Sequence, residues 1–158
     1  MRLTWTAFLL ALSSCATIHD APPIIGAARN GDSQLIRSLI QHGADPNVTA
    51  GVNGWTALQH AIHKNQSASV ETLLQSGADP NLRGTQHRMT PLMMAAGYGY
   101  ADIVRILLRH GADPALKDES GRTARDYARS GMMDIDRFTY GHTQTAALQA
   151  LDERRDTW

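Results

Sequence analysis

Cysteine is almost missing from this chain: its 158 residues contain one, Cys15. No internal disulfide can form, and no paired-cysteine metal knuckle is available. Net charge is missing as well, since 15 basic residues face 15 acidic ones. No overall field therefore draws the chain onto nucleic acid or an anionic membrane. Aromatics make up only 6% of the residues, and they are not interleaved with a basic stripe, so nucleic-acid binding is not expected. No apolar run reaches the roughly twenty residues that a membrane-crossing helix needs. The strings that mark nucleophile elbows, zinc-binding helices, phosphate loops and dinucleotide folds are all absent. What is present, 42% hydrophobic and 19% charged residues, suits one globular domain of ordinary size.

The N-terminus has its own pattern. Arg2 precedes an apolar run from Leu3 to Leu12, too short for a membrane span but of secretory signal length. Leu12, Ser13, Ser14 and Cys15 resemble the bacterial lipobox, in which the cysteine is lipidated and the chain is cut before it. The resemblance implies a signal peptide over 1–14, lipidation at Cys15 and a short linker over 15–21. Each buried CH₂ is worth about 0.8 kcal/mol, and stable anchoring takes at least two acyl chains. Ala16 follows the cysteine in place of a retention aspartate. The expected location is therefore the outer membrane, facing the periplasm, with the lipid as the only membrane contact.

Internal repetition dominates the rest. The string Gly-Ala-Asp-Pro begins at Gly43, Gly77 and Gly111, at an interval of 34 residues. Upstream of the last two copies lie Trp55-Thr56-Ala57-Leu58 and Met89-Thr90-Pro91-Leu92, and each threonine precedes its glycine by 21 residues. In the third unit Thr90 is set as an N-cap, with Pro91 in the first helical turn. Leu92, Ala95 and Ala96 follow at helical spacing, and Gly99 closes the helix. Ile103, Ile106 and Leu107 mark a second helix, which Gly111 ends and Pro114 forbids from continuing. A helix–turn–helix unit of this size cannot bury its own apolar face, so neighbouring units must stack.

Residues 89–114 resemble an ankyrin repeat, matching the Thr-Pro-Leu opening, paired alanines, mid-repeat glycine, Val-x-x-Leu-Leu core and Gly-Ala-Asp close. Residues 55–81 match with Ala57 in place of the proline, and 22–47 carry Pro23, Ala27, Ala28 and Gly31 at the corresponding positions. Residues 118–131 resemble the opening of a terminal repeat. The resemblance implies an all-α solenoid over 22–158, with repeats at about 22–50, 51–84, 85–117 and 118–154. Gln59 and Met93 replace the family's histidine, which puts the inter-repeat hydrogen bonds made there in doubt. Arg125 replaces a core leucine, as suits an end unit facing solvent. The pattern fails after Gly131, and Thr143 to Arg154 reads as a closing helix after a loop over 132–142.

Seven histidines invite a metal reading, but His60 and His63 lack the third and fourth ligands that zinc requires. His42 and His110 fill one repeat slot, and Met93 and Met94 read as core. No metal, cofactor or catalytic residue is expected. Ankyrin proteins hold partners on fingertips and first helices along a concave face. Carried over, those positions are Arg29 and Asn30; Asn53, Trp55, His63 and Lys64; His87, Met89 and Tyr98; and Glu119 and Arg122. The resemblance implies a non-enzymatic module, monomeric until it binds a protein partner. An immunity protein against a periplasmic effector and a scaffold for an envelope enzyme are its specific forms. A hydrolase is the rival, and a pocket joining His60, His63 and acids would be its sign.

Overall fold

Three helices open on a threonine cap, and most helices are followed within two residues by a glycine, in the computed structural model, which describes residues 21–85, 87–131 and 140–153. The helices come in pairs: α1 (Pro23–Asn30) with α2 (Ser33–Gln41), α3 (Ala57–His63) with α4 (Ser67–Gln75), α5 (Pro91–Tyr98) with α6 (Ala101–Arg109), and α7 (Ala124–Ser130) with α8 (Tyr140–Asp152). One finger carries a minimal antiparallel hairpin, β1 (Thr49–Ala50) against β2 (Trp55–Thr56). Thr56, Thr90 and Thr123 each accept from the backbone N–H three residues on. The side chain at that third position, Gln59, Met93 or Asp126, accepts from the threonine N–H in return. Such reciprocal capping satisfies two of the orphan donors at a helix start. Gly99 then ends α5 at φ +75°, a left-handed conformation that a Cβ disfavours.

The pairs stack into two layers. First helices pack side by side, α1 on α3, α3 on α5 and α5 on α7, while α2, α4, α6 and α8 form a second row behind them. Alanines make the first row possible: Ala28, Ala61, Ala95, Ala96 and Ala128 are fully buried where backbones approach. Between the rows lie Ile24, Leu58, Ile62, Leu73, Leu92 and Leu107, none more than 1% exposed. Fully burying such a side chain is worth about 1.5–3 kcal/mol. Met93 and Met94 belong to this core, as their spacing indicated.

The repeated Gly-Ala-Asp-Pro-Asn string is an inter-repeat clasp. Asn47 accepts from the Asp79 N–H at 2.8 Å and donates to the Gly77 carbonyl at 3.4 Å. Asn81 repeats both bonds one unit on, to Asp113 and Gly111. Ala115 stands at the third position, where the ladder ends. The doubt over Gln59 resolves in favour of a bridge, since its amide donates to the Met89 carbonyl of the next repeat at 3.1 Å. Met93 has no amide with which to do the same.

Two expectations at the C-terminal end need correction. Arg125 does not simply face solvent; α8 covers it, and its guanidinium pairs with Asp152. The closing helix begins at Tyr140, inside the stretch read as a loop, because its first turns carry no apolar stripe to mark them. Ala147, Ala150 and Leu151 are its buried face. The rest of the stretch read as a loop, like Cys15 and the segment read as a signal peptide, lies outside the described residues.

Candidate functional site

Trp55 leaves β2 at the base of a finger and lays its ring across α3. Its centroid is 5.4 Å from His60 and 5.3 Å from His63. The close approach of the next finger holds it there: a Cβ on Gly84 would stand 3.1 Å from the Trp55 ring and equally near the Gln59 amide. Trp55 is thus half-buried between its own helix and the following repeat, and packs more than its own loop. His63 Nδ1 is hydrogen-bonded to the Tyr98 hydroxyl at 2.9 Å, across the α3–α5 boundary. Tyr98 in turn stacks on Tyr100 at 5.4 Å and 28°. Trp55, His63, Tyr98 and Tyr100 therefore make one continuous half-exposed strip over two repeats. Tyr100 escaped the sequence reading because it follows the helix-ending glycine, outside the repeat's recognised contact positions.

His60 forms the floor under this strip. Its Nε2 is buried with no hydrogen-bond partner among the described residues. Burial holds its imidazole below the ordinary histidine range, and Arg29 and His63 push the same way against a backbone hydrogen bond at Ala50. His60 is neutral at pH 7, a flat apolar contact for the Trp55 edge.

The other candidates divide. Arg29, Asn30 and Lys64 are exposed at the ends of α1 and α3, on the same face as the strip. Asn53 lies in its finger, with its carbonyl accepting from Thr85 of the next finger at 3.0 Å. His87 and Glu119 are exposed on fingers two and three, and Met89 is half-buried with its carbonyl taken by Gln59. Arg122 turns inward. It donates to Asp118 Oδ2 at 3.1 Å and to the Tyr127 hydroxyl at 2.6 Å, and lies 4.4 Å over the Tyr127 ring. Tyr127 itself donates to Asp118 at 2.7 Å.

That network braces the last finger. Burial pushes the Tyr127 phenol up to about 12, and the Asp118 carboxylate adds to the shift. For Asp118, burial favours the neutral acid but is outweighed by hydrogen bonds from Tyr127 and Arg122, so its carboxyl stays below the usual range. Sequence reading missed both residues, because a buried Asp and Tyr nine positions apart match no repeat signature.

No three His, Cys, Asp or Glu side chains among the described residues come together to hold an ion. A cleft of about 540 Å³ between the starts of α4 and α6 and α8 is lined by Tyr100, Asp102, Arg105 and Ala146. Its two charges pair with each other at 3.3 Å. No described helix is long and apolar enough to cross a membrane.

Stacked helical hairpins with an extended mixed surface define a repeat protein of the binding-module class. The chain belongs to the ankyrin repeat family: the family model for ankyrin repeats (3 copies) matches residues 6–84, 24–118 and 83–138. It is also 46% identical over 43 residues to the phosphate system positive regulatory protein PHO81 of Saccharomyces cerevisiae, a match covering 27% of this chain. The chain spans only 4% of that relative's length. Ankyrin repeats are protein–protein interaction modules, and that is the activity class of this chain.

Proposed function

We propose that this protein is a non-enzymatic adaptor, tethered by lipid at Cys15 to the bacterial cell envelope. It captures a protein partner on the face formed by its fingers and first helices. The observation that carries the reading is the Trp55–His63–Tyr98–Tyr100 strip, which joins two repeats without a gap and stays half-exposed. Aromatic side chains on rigid elements lose little entropy on docking and are enriched among residues that dominate binding energy. The hydrolase alternative would need acids gathered at His60 and His63, which here pack against Trp55. The envelope location rests on the lipobox-like run at Leu12–Cys15 alone.

A photo-cross-linking residue at Lys64, beside the strip, is expected to give a discrete protein adduct in cells. The same residue at Arg37, on the second row, is expected to give none. Equal adducts from both positions would sink the face assignment. Identifying the adduct separates an effector to be neutralised from a resident envelope enzyme. Independently, Cys15→Ser should move the protein from the membrane to the soluble fraction, and retention on the membrane would refute the anchor.

A further inference from the structure

The charges of this neutral chain are sorted by layer. On the first helices the exposed ends carry Arg29, Lys64 and Arg129, with Arg125 turned back to α8. The fingers add Arg83, Arg88, Lys117 and Arg122. Against these eight cations stand, among the described residues, only Asp118, Glu119 and Asp126. Two of those three acids are engaged internally: Asp118 is buried under Arg122 and Tyr127, and Asp126 closes the cap on Thr123.

The second row is the reverse. It holds Arg37, Arg105 and Arg109 as its only described cations. Its acids are Glu71, Asp102, Asp152 and Glu153 on helices, with Asp32 at an N-cap and Asp45, Asp79 and Asp113 in the clasp turns.

Pairing differs as sharply as sign. In the second row Arg105 bridges Asp102 and Glu153, and Arg109 with His110 reaches Glu71. On the finger side Arg29, Lys64, Arg83, Arg88, Lys117 and Arg129 make no ion pair within the described residues. These six cations, with no ion pair among the described residues, sit on the first helices and fingers that also carry the half-buried aromatic strip, and form a surface complementary to carboxylates. Guanidinium groups bind carboxylates in charge-assisted, often bidentate geometry.

We infer that the partner presents an acidic protein segment carrying aromatic or apolar side chains, docked with its carboxylates on the cationic rim and its apolar groups on the Trp55–Tyr98 strip. This rests on the adaptor reading above. An anionic lipid surface offers the same charge, but a membrane-docking face projects apolar side chains, and among the described residues of the finger side only Val52 is large, apolar and fully exposed. The field of the sorted charges steers an acidic partner to the finger side and repels it from the back, an effect that salt suppresses within a Debye length of ~10 Å at 0.1 M.

The test pans a random dodecapeptide library displayed on phage against the soluble Cys15→Ser chain, then measures synthetic copies of the enriched peptides by fluorescence anisotropy. Acidic, aromatic-bearing peptides are expected. Their affinity should fall at least roughly tenfold in Arg29→Glu/Lys64→Glu/Arg88→Glu at low salt, and the gap should narrow at high salt. Arg37→Glu/Arg109→Glu should change it little. All these side chains are exposed, so thermal melts confirm that the variants fold. Enriched peptides that are neutral or basic, yet still lost on the face variants, would overturn the charge inference while keeping the adaptor reading. Peptides insensitive to every face variant, or no enrichment at all, would overturn both. Binding to phosphatidylglycerol vesicles with no enriched acidic peptide would overturn the protein partner in favour of lipid.

Discussion

The two rows of helices use the same residue types for opposite purposes. In the second row, charges are paired with each other and the clasp turns are tied across repeats by Asn47 and Asn81, so polar groups there are spent on cohesion. In the first row and its fingers, threonine caps and alanines handle cohesion, the aromatics are half-exposed, and six cations make no ion pair among the described residues.

The largest effect should be blind to this division, because both rows share one core. Leu92→Ala in α5 and Leu107→Ala in α6, each fully buried, should both cost about 2–5 kcal/mol in urea unfolding. A loss confined to one of them would mean that the rows do not unfold together.

Next comes the brace of the last finger, where the first row resembles the second in being internally paired. Asp118→Ala removes a carboxylate whose side chain is 1% exposed and strands its partners, at a cost of about 3 kcal/mol. The same brace gives a pH signature. Tyr127 has its folded value raised to about 12 from 10.0, so the stability it contributes is fully present below pH 10. That contribution, on the order of 2 kcal/mol, disappears as pH rises through 12. Asp118 has its folded value lowered, so its contribution is present above the ordinary carboxylate range and disappears as pH falls below it. Urea midpoints of wild type and Tyr127→Phe between pH 8 and 12 check the alkaline limb. Parallel curves would show that the phenol is not the responsible group.

Smaller still is the clasp. Asn81→Ala loses two hydrogen bonds across the boundary between the second and third repeats and should cost about 1–2 kcal/mol. Ala115→Asn should add nothing measurable, since no further Gly-Ala-Asp turn follows it. Smallest are the second-row surface pairs: Arg109→Ala, whose side chain is 68% exposed, should shift stability by under about 0.5 kcal/mol. A large effect there would overturn the view that these pairs matter mainly for keeping the back surface neutralised.

Much of the fold was legible because each repeat signals its own ends. Thr90, Pro91, Gly99 and Gly111 act on the backbone within a few residues, so their positions in the chain carry their meaning. The closing helix was harder: from Tyr140 to Thr143 no apolar spacing announces it, and only Ala147 to Leu151 do. Of the aromatic strip, Trp55, His63 and Tyr98 were singled out from their repeat positions, whereas Tyr100 and the Asp118–Tyr127 brace were not. Their partners are chosen by packing across a repeat boundary or around a finger, and no local spacing encodes that. Arg122, a plausible contact by position, was drawn inward by a carboxylate that burial left without water.

The residue order alone determined the repeat length, the helix pairs of the first three units and the need to stack, because caps, breakers and apolar spacing are local physics. Composition alone said that the chain is neutral. Only the stacked structure decided that most of the described cations fall on the first-helix and finger side and most of the described acids do not, since a charge acquires a side only when first helices and second helices line up in separate rows.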